Sequence, residues 1–387
     1  MAEGDVKSVR ITSRISEIDS AHWDACAGFD NPFVSHAFLD ILEKSGAASV
    51  ESGWLPQHLL LEDKSGQLIG AVPCYLKNHS YGEYVFDWGW ADAFERAGGK
   101  YYPKLQVSVP FSPVTGPRLL VRPSKNVSEI RGLLINGLRA LAGQHDVSSL
   151  HITFCEKEER NLLEDRNFLK RLGQQFHWHN RGYTRFDDFL EELTSRKRKS
   201  IRKERQVANR AAKIKVLTGD DLKREHMEAF YKFYLTTVEK KWAHAYLNQE
   251  FFMLLQERLS NKIVMIMAED DGEYVGAALN LRGSNTLFGR NWGSSKGYPM
   301  LYFEACFYRA IEYAIANGLS KVEAGAQGPH KISRGYLPSE TYSAHWICDP
   351  AFRQAIAKFL EGEEKETEWE MDMLEEKRSP YRKDVPI

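Results

Sequence analysis

His58–Leu76 reads HLLLEDKSGQLIGAVPCYL, and Lys262–Leu281 reads KIVMIMAEDDGEYVGAALNL. In each, two short apolar runs flank a Gly-containing connection, DKSG or DDG, which is the signature of a β-hairpin. LIGAVP and YVGAAL are the matching centres, so the same unit is written twice. Working outward, FVSHAFLDILEK (33–44) places Phe38, Ile41 and Leu42 on one helical face, with Gly46 where the helix stops. FFMLLQERL (251–259) is the matching helix before the second hairpin. After the first hairpin, Ile130, Leu133, Leu134, Leu138 and Leu141 form a helical stripe ahead of the alternating strand Leu150, Ile152, Phe154. After the second, Phe303, Phe307, Ala310, Ile311 and Ala314 form the stripe, Gly318 stops the helix, and KVEAGA resumes as a strand. Helix, hairpin, helix, strand, repeated, predicts an α/β fold with mixed sheets flanked by helices, because hairpins pair antiparallel and helical crossovers pair parallel.

A chain of 387 residues exceeds one ordinary core and accommodates such a duplication. The expected division is 1–185, carrying an insertion at about 77–118, then 186–360, then an acidic tail over 361–387. A net charge of -1 excludes a globally basic nucleic-acid binder and moves attention to local patches. Cys26, Cys74, Cys155, Cys306 and Cys348 are scattered and never at C-x-x-C spacing, which argues against a disulfide framework or a structural zinc site. The opening MAEGDVKSVR lacks an apolar signal region, and no run approaches the roughly 20 apolar residues of a bilayer span. A cytoplasmic protein without a membrane span is expected.

Four segments could carry chemistry. SRKRKSIRKERQVANRAAKIK sets Arg196, Lys199, Lys203 and Arg210 along one helical face, with Arg198, Arg202 and Arg205 broadening it. Phosphate contact is one reading; a bridging helix whose cations pair with acidic neighbours such as the tail is the other. NTLFGRNWGSS (285–295) ends an apolar strand before the crossover helix, with Arg290 and Gly293 at loose R-x-x-G spacing. GAQGPHKISRGY gathers Gly325, Gln327, Gly328, His330, Lys331, Arg334 and Gly335 just past a strand's carboxyl end, where ligands of α/β sheets collect. GEYVFDWGWADA interleaves Glu83, Asp87 and Asp92 with Tyr84, Phe86, Trp88 and Trp90, a mixture suited to a cationic or aromatic substrate and equally the content of a half-buried strand. His177 and His179 share a strand face but lack an evident third ligand, so no metal is expected.

Taken in order, NPFVSHAFL, HSYGEYVFDWGWADA, YYPKLQVSVPFSPVTGPR, FHWHNRGYTRFDDFL, SRKRKSIRKER, GRNWGSS, YFEACFYRAIEY and GAQGPHKISRGY resemble the FemAB-like N-acyltransferase family, of peptidoglycan biosynthesis/recognition type, over about residues 30 to 360. The sequence departs from that pattern at Tyr302, where a His is usual, and at Pro329, where an acidic residue is usual. The resemblance implies two tandem GNAT-like units and transfer of an acyl group from acyl-CoA, or of an aminoacyl group from aminoacyl-tRNA, to an amine of a small molecule or peptide. No permanently bound cofactor is implied, and a tRNA would meet the basic helix at 195–215. Such a transfer needs a proton acceptor, an oxyanion site and a hold on a phosphate-rich donor. His330, Glu304 and Asp87 are the expected proton acceptors. Arg290, Lys331 and Arg334 are expected at phosphate or carboxylate, and backbone N–H groups near Gly293 at the oxyanion. Glu83, Trp88, Trp90, Asp92 and Arg118 are expected at substrate. A non-catalytic recognition protein with the same fold is the alternative.

Overall fold

The structure is a computed structural model that describes residues 6–240, 244–295, 297–326 and 328–384, so Gln327 and the first five residues lie outside it. In chain order come β1 (Val6–Thr12), α1 (Ser20–Ala27), α2 (His36–Lys44), β2 (Trp54–Pro56), β3 (His58–Asp63), β4 (Leu68–Val72) and β5 (Cys74–Lys77). Next are α3 (Trp88–Arg96), β6 (Lys104–Val107), β7 (Leu120–Val121), α4 (Val127–Gln144), β8 (Ser149–Cys155) and α5 (Lys157–Glu164). Then follow β9 (Leu169–His179), α6 (Phe186–Glu192), α7 (Ser195–Ala211), β10 (Lys213–Thr218), α8 (Arg224–Lys240), α9 (Gln249–Leu259), β11 (Ile263–Asp270), β12 (Glu273–Arg282) and β13 (Thr286–Ser294). The chain closes with α10 (Leu301–Phe303), a π-helical turn (Glu304–Tyr308), α11 (Arg309–Ala316), β14 (Lys321–Glu323), β15 (Leu337–Ile347) and α12 (Pro350–Arg378).

Contacts group Met1–Gly173 with Glu340–Glu368 as one compact unit, and Gln174–Ser339 with Trp369–Ile387 as a second. The join expected near 185 therefore falls inside the second unit, because strand pairing rather than chain order decides which residues associate.

In the first unit, β1-β3-β4-β7 form a four-stranded antiparallel sheet. The hairpin expected over 58–76 is β3–β4, with Leu61 opposite Gly70. The second run of that hairpin breaks at Pro73, which has no N–H for a ladder, and Cys74 starts β5 in a different sheet. There β8 pairs antiparallel with β15 and parallel with β6, and β5 joins β6 to β2. The α4 stripe of Ile130, Leu134 and Leu138 is wholly buried against Leu59, Leu61, Leu105 and Leu150, forming the core.

The second unit's sheet runs β10-β11-β12-β13-β14-β9, antiparallel except for β13 with β14. Its hairpin is β11–β12, as the repeat requires. Phe307, Ala310, Ile311 and Ala314 cover Val264, Ile266, Leu287 and Val322. Residues 361–378, expected as an acidic tail, instead continue α12. The first turns of that helix belong to the first unit, where they are anchored by Ile356 and Leu360, both 5% exposed, and by Phe352 stacked on Phe94 at 4.4 Å, and the charged residues that suggested a tail are mostly exposed along the rest of the helix. Among the described residues, no helix is long and apolar enough to cross a membrane.

NTLFGRNWGSS is strand as far as Ser294, with Gly293 opposite Ala277 on β12. A Cβ on Gly293 would stand 2.1 Å from the Phe233 carbonyl oxygen of α8, so the bare backbone is what lets that helix lie on β13. Gly293→Ala is expected to cost about 1–3 kcal/mol by forcing α8 off the strand. Urea unfolding would show it as a lower midpoint, and an unchanged midpoint would refute the close approach.

Candidate functional site

The second unit holds half of the expected residues, and it places Arg290, His330, Lys331 and Arg334 around β13, β14 and the loop that follows. Parallel pairing of β13 with β14 covers Thr286↔Lys321 to Phe288↔Glu323 and stops there. β13 then carries a bulge, since Leu279 faces Asn291 while Asn280 faces Gly289, which puts Arg290 at the irregularity. The β14 chain turns aside at Gly325, whose φ of 80° a side chain would strain. The two strands therefore part at Gly289, Arg290 and Gly325. Buried Glu323 stands at the fork, 3.3 Å from Arg290 and 2.8 Å from Lys321. Burial pushes its carboxyl up, but His177, Lys321 and Arg290 outweigh that and bring it down to about 2.

Lys331 lies beside this opening, 2% exposed, with Nζ donating to the Gly325 carbonyl at 2.8 Å. Burial lowers its ammonium to about 7, opposed by Cys306 and helped by Arg290. Its neighbour His330 is exposed, 3.4 Å from the Tyr302 hydroxyl, and is held below the usual imidazole range by burial and by Lys331 and Arg334. Arg334 lies 3.3 Å above the Phe303 ring and donates to the His330 carbonyl at 2.8 Å and to Glu204 at 2.9 Å.

Glu304 is wholly buried in the π-helical turn, where Arg205 of α7 donates to both its oxygens at 3.1–3.2 Å and Arg309 stands 2.9 Å away. Such enclosure makes it an anchor for α7 instead of a proton acceptor facing a ligand. The basic helix divides accordingly: Arg205 turns inward to Glu304 and Glu312, and Arg202 meets Asp187 at 3.1 Å. The acidic neighbours of these two cations thus come from α6, the π-helical turn and α11 rather than from α12. Gly293 is embedded between β12 and α8, away from the role of oxyanion donor that the spacing suggested. His177 and His179 lie with ring centroids 6.4 Å apart, and no group of three or more metal-type ligands occurs among the described residues.

The remaining expected residues lie in the first unit, where Asp87 and Glu83 belong to a closed ionic network. Lys104, 0% exposed, donates to Glu83 at 2.7 Å and also to Asp87. Lys77 stands 3.7 Å from Glu83 and 3.6 Å over the Trp54 ring. Tyr101 donates to Asp87 at 2.7 Å, and His151 meets Ser149 and His345, each at 2.7 Å. Burial lowers Lys77 to about 7 against the pull of Glu83, and lowers His151 to about 3 with Lys104 adding to the effect. Burial also raises Asp87, but Lys104 and His151 outweigh it and hold that carboxyl well below its usual range. Lys77, Lys104, Tyr101, His151 and His345 were not singled out from sequence. The available signal was β8, where Ser149, His151 and Thr153 alternate with Leu150, Ile152 and Phe154, and all six are buried.

Trp88 is 40% exposed and packs edge-on against Tyr81 at 4.8 Å, whereas Trp90 is buried against His345 at 4.9 Å with Arg171 5.0 Å above it. The aromatic insertion is helical here, not a half-buried strand. Asp92 is exposed and pairs with Arg96 at 2.8 Å. Arg118 is 0% exposed and directs its guanidinium to the carbonyls of Thr153, Gly116, Pro117 and Val114, which pins the loop to β8.

Duplicated, helix-flanked mixed sheets, each with a parallel strand pair, give the α/β fold of two tandem units expected from the sequence. The chain belongs to the FemAB-like family, peptidoglycan biosynthesis/recognition, whose profile matches residues 14–383. Among solved structures it is similar to FemX, at 11% identity and TM-score 0.55, covering 88% of this chain and 98% of that one. It is similar also to the C-terminal DUF2156 domain of a candidate lysylphosphatidylglycerol synthetase from Agrobacterium fabrum, at 8% identity and TM-score 0.53, covering 88% and 96%. A conserved protein of unknown function from Bacteroides thetaiotaomicron shares the fold at 9% identity and TM-score 0.51, covering 88% and 100%. No functionally curated protein matches the sequence.

Two outcomes are expected of the ionic network. Lys104→Met leaves Glu83 and Asp87 buried against each other and should cost about 3–5 kcal/mol, read by denaturant unfolding. Burial of His151 as neutral imidazole, its folded value near 3, makes the unfolded chain the better proton binder at mildly acid pH. The stability from this group is therefore complete above about 6.5 and is lost as pH falls toward 3, by up to about 1.4 kcal/mol per unit. His151→Gln should flatten that acid limb; an unchanged slope would count against a neutral buried His151.

Proposed function

We propose that this chain is an N-acyltransferase of the peptidoglycan biosynthesis/recognition family, moving an acyl or aminoacyl group onto an amine, with its chemistry in the second unit. The observation that carries this reading is the near-neutral Lys331 amine beside the point where β13 and β14 part. An attacking amine must lose a proton as its nitrogen bonds to the donor carbonyl carbon, and a base is most effective when its pKa lies near the working pH. Neutral Lys331 takes that proton and becomes an ammonium. The tetrahedral oxyanion then collapses, breaking the bond to the thiolate of CoA or to the ribose oxygen of a tRNA, which leaves with its electron pair and takes the proton from the Lys331 ammonium, restoring the neutral amine. Acyl-CoA and aminoacyl-tRNA both meet this chemistry. Acyl-CoA is the donor we favour, because a bound small donor needs no long nucleic-acid track, and a net charge of -1 supplies none globally.

The test is turnover with each donor and a panel of amines. Lys331→Met is expected to lower kcat about 10²–10⁴-fold. The wild-type rate should rise with pH and level off above about 7. Undiminished kcat in Lys331→Met, or no transfer from either donor, would refute the proposal.

A further inference from the structure

An open cavity of about 440 Å³ in the second unit is lined by Arg196, Lys197, Lys377 and Arg378, with His330 and Thr194 beside them and no carboxylate in its wall. None of the four cations has an ion pair or a side-chain hydrogen bond among the described residues. That contrasts with Arg202 and Arg205 farther along α7, which have carboxylate partners. Glu204, the carboxylate that acts on Lys197, is engaged by Arg334 at 2.9 Å and by the Tyr308 hydroxyl at 2.5 Å.

The arrangement is built, because backbone bonds fix the end of the chain against the head of α7. Thr194 N–H donates to the Pro380 carbonyl at 2.9 Å, and Arg382 N–H to the Glu192 carbonyl at 2.9 Å. Buried Tyr381 donates its hydroxyl to the Gly335 carbonyl at 2.9 Å. Lys377 and Arg378, two residues short of this tie, are thereby held over the start of α7. Thr194 makes no side-chain cap there, and Thr194, Arg196 and Lys197 set the start of a 17-residue helix in the cavity wall, where its macrodipole favours negative charge. Crowding of like charge is felt at Lys197, whose ammonium is lowered by burial and by Arg196 and Arg334.

We propose that this cavity is a binding site for phosphate groups, held between the head of α7 and the Lys377–Arg378 pair. Cations from two helices and a helix N-terminus are the means by which proteins hold phosphate. The site stands on its own geometry, and assigning its ligand to the transfer reaction rests on the function proposed above. Phosphate could reach it from a nucleotide-type donor or from an RNA strand, and both present the same oxygens.

Calorimetric titration of the full chain with pyrophosphate at low salt tests the site. One molecule should bind, and Lys377→Ser combined with Arg378→Ser should weaken binding by roughly tenfold or more. Arg202→Ser, which removes a cation from the same helix outside the cavity, should leave it unchanged. Displacement of pyrophosphate by adenosine bisphosphate supports a nucleotide-borne phosphate, and displacement by a short single-stranded RNA alone supports the polynucleotide. Absence of pyrophosphate binding, or equal weakening by Arg202→Ser, overturns the site. Because the readout is binding, a chain that binds pyrophosphate yet transfers nothing would sink the transferase reading and leave this site intact.

Discussion

The second unit depends on one buried carboxylate. Glu304 has no contact with solvent, and its charge is met by Arg205 from α7 and by Arg309 from the next helical turn. A buried charge pair of this kind is costly to break, because removing either partner leaves the other without hydration. The π-helical turn makes the geometry work. Glu304 and Tyr308, at its two ends, reach the adjacent α7 residues Arg205 and Glu204. Glu204 passes the linkage on to Arg334, which caps the Phe303 ring. The position of α7, the loop that carries Lys331, and the cationic cavity at the head of the helix all follow from this clamp. A π-helical turn in an otherwise α-helical run often marks a functional region, and here its mechanical role is visible.

The first unit uses the same physics to the opposite end. Lys104, Glu83, Asp87 and Lys77 are enclosed together, and the nearby imidazoles are kept neutral by burial. Within this closed set positive and negative groups offset each other, leaving a rigid polar interior on one face of β8. The exposed aromatics Tyr81 and Trp88 border that interior, while Arg118 ties the following loop down through carbonyls. Duplication has thus given each unit a parallel strand pair, β6 with β8 and β13 with β14, set in different charge surroundings.

The hairpins and crossover helices were legible in sequence because hydrophobic period is a local property that a window of a dozen residues contains. The sites were less legible because their partners are remote. Arg205 reads as one more cation in a solvated run until Glu304, 99 positions later, is seen beside it. His151 and His345 meet across 194 positions, on facing strands where each looks like an ordinary polar residue between apolar ones. The GAQGPHKISRGY loop was found because glycines and polar groups past a strand end are themselves a local signal. The assignment of roles within it was not local: burial decides that Lys331 is enclosed and His330 exposed, and no spacing rule separates two adjacent residues. Gly293 shows the converse. Its motif spacing suggested backbone donors, whereas the need for glycine there comes from α8, some sixty residues earlier.

Lys77 and Lys331 sharpen the distinction between a structural and a chemical lysine, since burial lowers both to about 7. Lys77 has a carboxylate at 3.7 Å, an indole face at 3.6 Å and the Tyr81 carbonyl at 3.1 Å, and it is 0% exposed. A proton leaving it would leave two buried carboxylates, Glu83 and Asp87, sharing Lys104, an excess of negative charge in a medium that cannot solvate it, so its protonation is coupled to the integrity of the fold. Lys331 has no carboxylate within ion-pair distance among the described residues, and its hydrogen bond goes to a carbonyl. A neutral amine keeps that bond as donor, so Lys331 can gain and lose a proton without a structural penalty to its neighbours. Two lysines with the same depressed value therefore differ in the property that matters for proton transfer, and the one free to cycle is the one at the parting of the strands.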